Sequence, residues 1–254
     1  MKSAVDIGTN RTGIATSPID APQVISGAEQ GIPSSSGDES AQLAVRSAYV
    51  KESEPIGTVP PPASVKGAVT TIAQALKGDR GSVFIDKLGE RLAFERAGVR
   101  LYALAIVKAE AGPGWEGGPG VADLTSIQSD ELEHFGMLIA SAKELGADPT
   151  VMTPSADVAA NLSKGVRDVL ADPRTDLRQA LEALLIAELA DNAGWELLIS
   201  LARELGQDQM ATRFERALEE EEDHLARVKG WLQRGVAEAA VLKKSEKEQR
   251  PGAH

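Results

Sequence analysis

The chain has 254 residues, 42% of them hydrophobic, with 27 basic against 38 acidic residues and a net charge of −11. That length and apolar share build one large globular domain, or one domain with appendages. The acidic balance argues against nucleic acid and anionic membranes, both of which need an extended basic surface, so neither is a predicted partner. The absence of cysteine excludes disulfides, thiolate sites and cysteine nucleophiles and leaves only oxygen and imidazole to hold a metal.

The opening "MKSAVDIGTN" lacks the apolar segment of a signal peptide, and no apolar run reaches the length of a bilayer span, which predicts a cytoplasmic protein. Residues 1–80 are rich in Gly, Ser, Pro and Thr, with "GIPSSSGDES" and "IGTVPPPASVKG" as breakers, so an irregular arm with one short helix in "SVKGAVTTIAQAL" is predicted. Within it, "AVDIGTNRTGIA" resembles the first phosphate loop of actin-like ATPases. That family sets the turn in a two-domain α/β fold, whereas here only five residues precede Asp6 and a helical chain follows.

Beyond residue 80 the pattern becomes helical. "SVFIDKLGERLAFERAGVRLYALAIVKAE" carries the stripe Ile85, Leu88, Leu92, Val99, Tyr102 and Ile106 and ends at "AGPGWEGGPG". "ADLTSIQSDELEHFGMLIASAKELG" predicts a second helix ending near Gly146. A longer connection follows, with a short helix from Ser155. "TDLRQALEALLIAELADNAGWELLISLAREL" predicts the third long helix and "DQMATRFERALEEEEDHLARVKGWLQRGVAEAAVL" the fourth. The prediction is an all-α protein: an antiparallel four-helix bundle over residues 81–240 with one longer crossover, then a flexible tail over 241–254.

Histidine is scarce, and both internal copies close a Glu-x-x-His: Glu131 with His134, and Glu221 with His224. Each pair lies on one helical face about a turn apart, so the carboxylate can bridge two metals while the imidazole binds one. A dinuclear site in a bundle also needs an inward carboxylate from each of the other two helices. Glu95 lies three residues after Leu92 and four before Val99, and Glu188 lies four after Leu184 and seven before Trp195, both on faces that should be buried. Glu95 precedes Tyr102 by seven residues and Glu131 by 36. Glu188 precedes Trp195 by seven and Glu221 by 33, so the helix pairs form a pseudo-repeat.

Four such carboxylates in a dry core repel unless two divalent ions cancel them, and an oxygen-rich set with one nitrogen per ion suits iron or manganese. Asp130 and Glu220 each precede a histidine by four residues and are candidate acceptors for the imidazole on their own helix. Asp191 and Asn192, a turn beyond Glu188, are candidates for a hydrogen bond to a ligand. Tyr102, Phe135 and Trp195 are core aromatics, with Tyr102 also a candidate for redox chemistry. Glu219 and Glu222 read as solvated.

With Glu95, "ELEH" at 131–134, Glu188 and "EEDH" at 221–224, residues 80–240 resemble the ferritin-like superfamily, in which these positions ligate a dinuclear iron or manganese centre. "TPSADVAANL" and "DPRTDLRQALEALLIAELADNAGWELLISLARELGQD" resemble bacterial proteins known only by their ferritin-like domain. The resemblance implies two iron ions, alternatively manganese or a mixed iron/manganese pair. What such proteins oxidise is not implied by the resemblance; the leading expectation for such a centre is activation of dioxygen or peroxide by a ferroxidase-like oxidoreductase, with ferrous iron or an unknown reductant as electron source. The alternative is non-catalytic iron storage or sequestration. The long arm and the inserted crossover depart from ferritin cage subunits and favour a homo-oligomer as small as a dimer. The chain also lacks the cysteine-rich rubredoxin module that would supply an internal electron donor.

Overall fold

The computed structural model describes residues 21–23, 26, 30, 40–59 and 79–248. The actin-like turn, most of the irregular arm and the helix expected in "SVKGAVTTIAQAL" lie outside the described residues. Among the described residues there is no strand, and no helix is long and apolar enough to cross a membrane. The unit formed by residues 1–55 contains helix α1, Ser40–Glu52, within the stretch predicted to be irregular. It buries no side chain, and Leu43, Tyr49 and Val50 are exposed, so it rests on local hydrogen bonding rather than on an apolar stripe.

The second unit holds the bundle, made of α2 (Asp79–Ala111), α3 (Val121–Glu144), α5 (Leu177–Glu204) and α6 (Asp208–Glu248). The crossover between α3 and α5 is itself a helix of 18 residues, α4 (Pro154–Ala171), longer than the short helix expected there. Helix α6 remains helical to Glu248, past the boundary expected at residue 240.

Local sequence sets the helix ends. The Thr153 hydroxyl accepts the N–H of Ala156 with Pro154 in the first turn of α4, while Asp176 and Gln179 cap α5 reciprocally. Helices α3 and α5 close alike, in "ELGA" and "ELGQ". Gly146 and Gly206 take φ of +77° and +70°, and Ala147 N–H reaches the Ala142 carbonyl as Gln207 N–H reaches that of Ala202. The pseudo-repeat therefore extends to the caps.

Pairing is strongest between α5 and α6 and between α2 and α3, and α4 lies against α2 and α5. Because α4 covers a further face of α2, the buried arc of α2 is wider than the predicted stripe: Phe84, Leu101 and Ala105 are buried, whereas Ile85, Val99 and Ile106 are only partly so. The core falls into two large apolar clusters and a small third one of Ala93, Ala156 and Ala159. The first large cluster joins Phe84, Leu88 and Leu92 to Leu138, Trp195, Leu198 and Phe214, and the second joins Leu101 and Tyr102 to Leu124, Ile127, Leu184, Val228 and Trp231. Between the two large clusters, each of the four long helices contributes to a layer of buried polar residues: acids, two histidines, Asn192 and one arginine.

Candidate metal centre

Along each long helix the apolar spacing is interrupted once, and the interruptions meet. Glu95 on α2, Glu131 and His134 on α3, Glu188 on α5 and Glu221 and His224 on α6 are each 3% exposed or less. Glu221 is the hub: its Oε1 lies 2.7 Å from His134 Nδ1 and its Oε2 lies 3.2 Å from His224 Nδ1, so one carboxylate faces both imidazoles. The ring centroids are 6.3 Å apart. Three buried groups place their donor atoms within 4.8 Å of one another: Glu95, His134 and Glu221; Glu131, Glu221 and His224; and Glu95, Glu131, Asp191 and Glu221. Glu188 lies in none of these groups; its Oε1 accepts the hydroxyl of Tyr102.

The acceptors behind the histidines are exchanged between helices relative to the expectation. His134 on α3 turns Nε2 to Glu220 on α6 at 2.6 Å, and His224 on α6 turns Nε2 to Asp130 on α3 at 3.1 Å. Each imidazole points across the gap between α3 and α6, and the acid four residues earlier on the opposite helix is the one facing it. Asn192 does not touch a ligand side chain; its amide donates to the main-chain oxygens of Glu188 and Glu221, fastening α5 to α6. Asp191 ion-pairs with Arg91. Glu219 and Glu222 are exposed, Phe135 is partly buried, and Trp195 is fully buried with its ring edge-on to His134 at 5.8 Å.

Arg91 was not foreseen. It is 2% exposed, donates to Glu95 at 2.5 Å, and stacks on Phe94 and Trp195 with centroid distances of 4.8 and 5.3 Å. Its signal in the sequence is its position four residues before Glu95 and between Leu88 and Leu92, on the buried face. Two helical glycines make room for this layer. A Cβ at Gly98 would collide with the Glu131 carboxylate, and one at Gly194 with the Arg91 guanidinium.

Five carboxylates are thus buried together, Glu95, Glu131, Glu188, Asp191 and Glu221, beside a single arginine. Burial pushes the Glu131 carboxyl well above its ordinary range, and Glu221 and Glu95 add to the push. Burial, then Glu221, raises Glu188 to about 8. Burial would raise Glu221 too, but the hydrogen bonds from His134 and His224 hold it down at about 2. Burial opposes charging of His134, yet the Glu221 and Glu95 carboxylates raise it to about 11, and His224 is raised by Glu221 in the same way. The Tyr102 phenol is driven well up by burial and by Glu188, which keeps it a neutral donor.

Protons alone leave the layer unsatisfied. Glu95 Oε2, Glu131 Oε2 and Glu188 Oε2 are buried without a hydrogen-bond partner, and His134 Nδ1 stands 3.7 Å from Glu95 Oε2. Orphaned carboxylate oxygens beside imidazole nitrogens, with no sulfur donor, form the donor set of a hard to borderline divalent cation. Comparison with known proteins agrees: the family model for a ferritin-like domain matches residues 85–236. No curated protein and no solved structure matches the chain.

Proposed function

As the chain belongs to the ferritin-like domain family, we propose that this layer holds two divalent ions, iron or alternatively manganese, and that the protein is a ferroxidase-like oxidoreductase acting on dioxygen or peroxide. The observation that carries this reading is the hub: Glu221 turns one oxygen to each histidine, and each histidine sits in a separate donor group with a different second glutamate. Glu95 and His134 would hold one ion, Glu131 and His224 the other, with Glu221 between them and the unpartnered Oε2 of Glu188 available to either. When bound, such a pair supplies open coordination positions and the electrons that dioxygen or peroxide accepts.

The chain's own groups prepare that chemistry. Glu220 and Asp130 orient the imidazoles from the opposite helix, and Arg91 neutralises part of the Glu95 and Asp191 charge. Tyr102 keeps a proton on its hydroxyl and steers Glu188. Leu92, Leu138 and Trp195 on one side and Ile127 and Leu184 on the other close the layer off from water. The electrons come from ferrous iron or an external reductant, and the working assembly is a cytoplasmic homo-oligomer, a dimer first.

Protein purified from iron-replete cells is expected to carry two metal ions per chain and to oxidise ferrous iron in air faster than buffer does. His224→Ala should lose one ion preferentially, and most of the oxidation with it, while keeping its helical content, since it removes a polar ligand rather than packing. Parent-like metal content and oxidation in that variant would overturn the proposal. A large closed shell in solution would instead favour storage over catalysis.

A further inference from the structure

The groove between α2 and α4, about 470 Å³ in volume, is lined by Arg96, Arg100, Lys164 and Arg167 over a floor that includes Ala93 and Ala97. In a chain of net charge −11 this concentration of cations runs against the average. Lys164 pairs with Asp168 at 2.9 Å, but among the described residues no carboxylate pairs with Arg96, Arg100 or Arg167. Arg96 and Arg100 stand one turn apart on α2, and Lys164 and Arg167 three residues apart on α4, so each helix carries a like-charge neighbour pair that disfavours it. The other polar liner, Ser163, donates its hydroxyl to the Ala159 carbonyl at 2.9 Å, so the walls present positively charged donors.

We propose that this groove is a binding site for a small, multiply charged phosphate anion, an oligophosphate or the phosphate tail of a nucleotide. Unpaired guanidinium forks from two helices match phosphate oxygens bidentately, and a floor of alanines lets the anion approach the backbone without a long side chain in the way. The volume lies within the range of small-molecule sites. The proposal uses none of the groups in the carboxylate–histidine layer and stands apart from the metal reading.

Titration calorimetry of the full chain at low salt, before and after chelation of metal, tests it with pyrophosphate, triphosphate, ATP and citrate. Triphosphate should bind more tightly than pyrophosphate, and binding should weaken steeply as salt is added. The double variant Arg100→Gln/Arg167→Gln should weaken binding by about tenfold or more, as loss of two charge-assisted contacts requires. Arg174→Gln and Arg203→Gln, which remove arginines that pair with Asp172 and Glu215 elsewhere, should leave it unchanged. ATP binding tighter than triphosphate would assign the nucleotide, and equal binding the inorganic anion. Absence of binding, binding only before chelation, citrate equal to triphosphate, or equal loss in the control variants would each overturn the site.

Discussion

At Gly98 a single absent methylene separates what the fold tolerates from what the site tolerates. The three atoms that a Cβ there would meet first all belong to the carboxylate of Glu131, the far end of a flexible side chain, so the helix can accept Gly98→Ala once that carboxylate moves and gain about 1 kcal/mol of helix propensity. The displaced carboxylate, however, leaves the donor group it forms with Glu221 and His224. Gly98→Ala is therefore expected to match or exceed the parent's thermal stability without metal while binding the ion beside His224 at least about tenfold more weakly, the effect of misplacing one ligand. Equal metal affinity in the two proteins would show that Glu131 is not held where Gly98 lets it sit. The residues that meet in this layer were legible because scarce histidines and core-face glutamates stand out against an apolar period. The pairing of Arg91 with Asp191 and the exchange of Asp130 with Glu220 were not, because sequence spacing reports neighbours on one helix, while these contacts depend on how α3 faces α6 and α2 faces α5.

Helix α4 shows the same limit for an element. Its buried positions are Ala156, Ala159 and Leu170, and the two alanines cluster with Ala93 of α2, so small side chains rather than a run of large apolar ones mark its buried face over 18 residues. Helix α1 buries nothing and announces itself even less. What anchors α4 is polar. The Asp86 carboxylate on α2 accepts both the N–H and the hydroxyl of Ser155, at 2.8 and 2.6 Å, while the Asp86 carbonyl accepts the hydroxyl of Thr153 at 3.2 Å. Asp86→Ala removes the two carboxylate bonds and should cost about 1–3 kcal/mol, lowering the unfolding temperature by roughly 2–10 °C. Metal per chain should not change, since Asp86 lies more than two helical turns before Glu95. An unaltered melting temperature, or loss of metal without loss of stability, would show that α4 is held by something other than this tether.

For the whole molecule, protons and metal ions compete for one buried layer, and pH sets the balance. Without metal, Glu188 is raised from an ordinary 4.5 to about 8 and Glu131 also lies well above that value, so the folded chain holds protons that the unfolded chain has released. Stability from protonated Glu188 is full below about pH 4.5 and is lost as pH climbs through about 8, and protonated Glu131 acts with the same sign. His134, raised from 6.5 to about 11, has the same sign: its contribution is full below 6.5 and is lost on the way to 11. Glu221 runs the other way; held at about 2, it contributes above 4.5 and loses that contribution as pH falls toward 2. The metal-free protein should therefore be most stable in mild acid and weaken steadily from about pH 6 to 9. Divalent ions replace the protons as counter-charge, so metal uptake at pH 7 should release protons, and apparent affinity should rise about tenfold per pH unit for each proton displaced. Melting temperatures measured from pH 5 to 9, with chelator and with saturating metal, should diverge as pH rises, and a weakly buffered sample should acidify on metal addition. Curves that stay parallel, with no acidification, would mean that the layer meets no metal and that its charge is managed by protons and Arg91 alone.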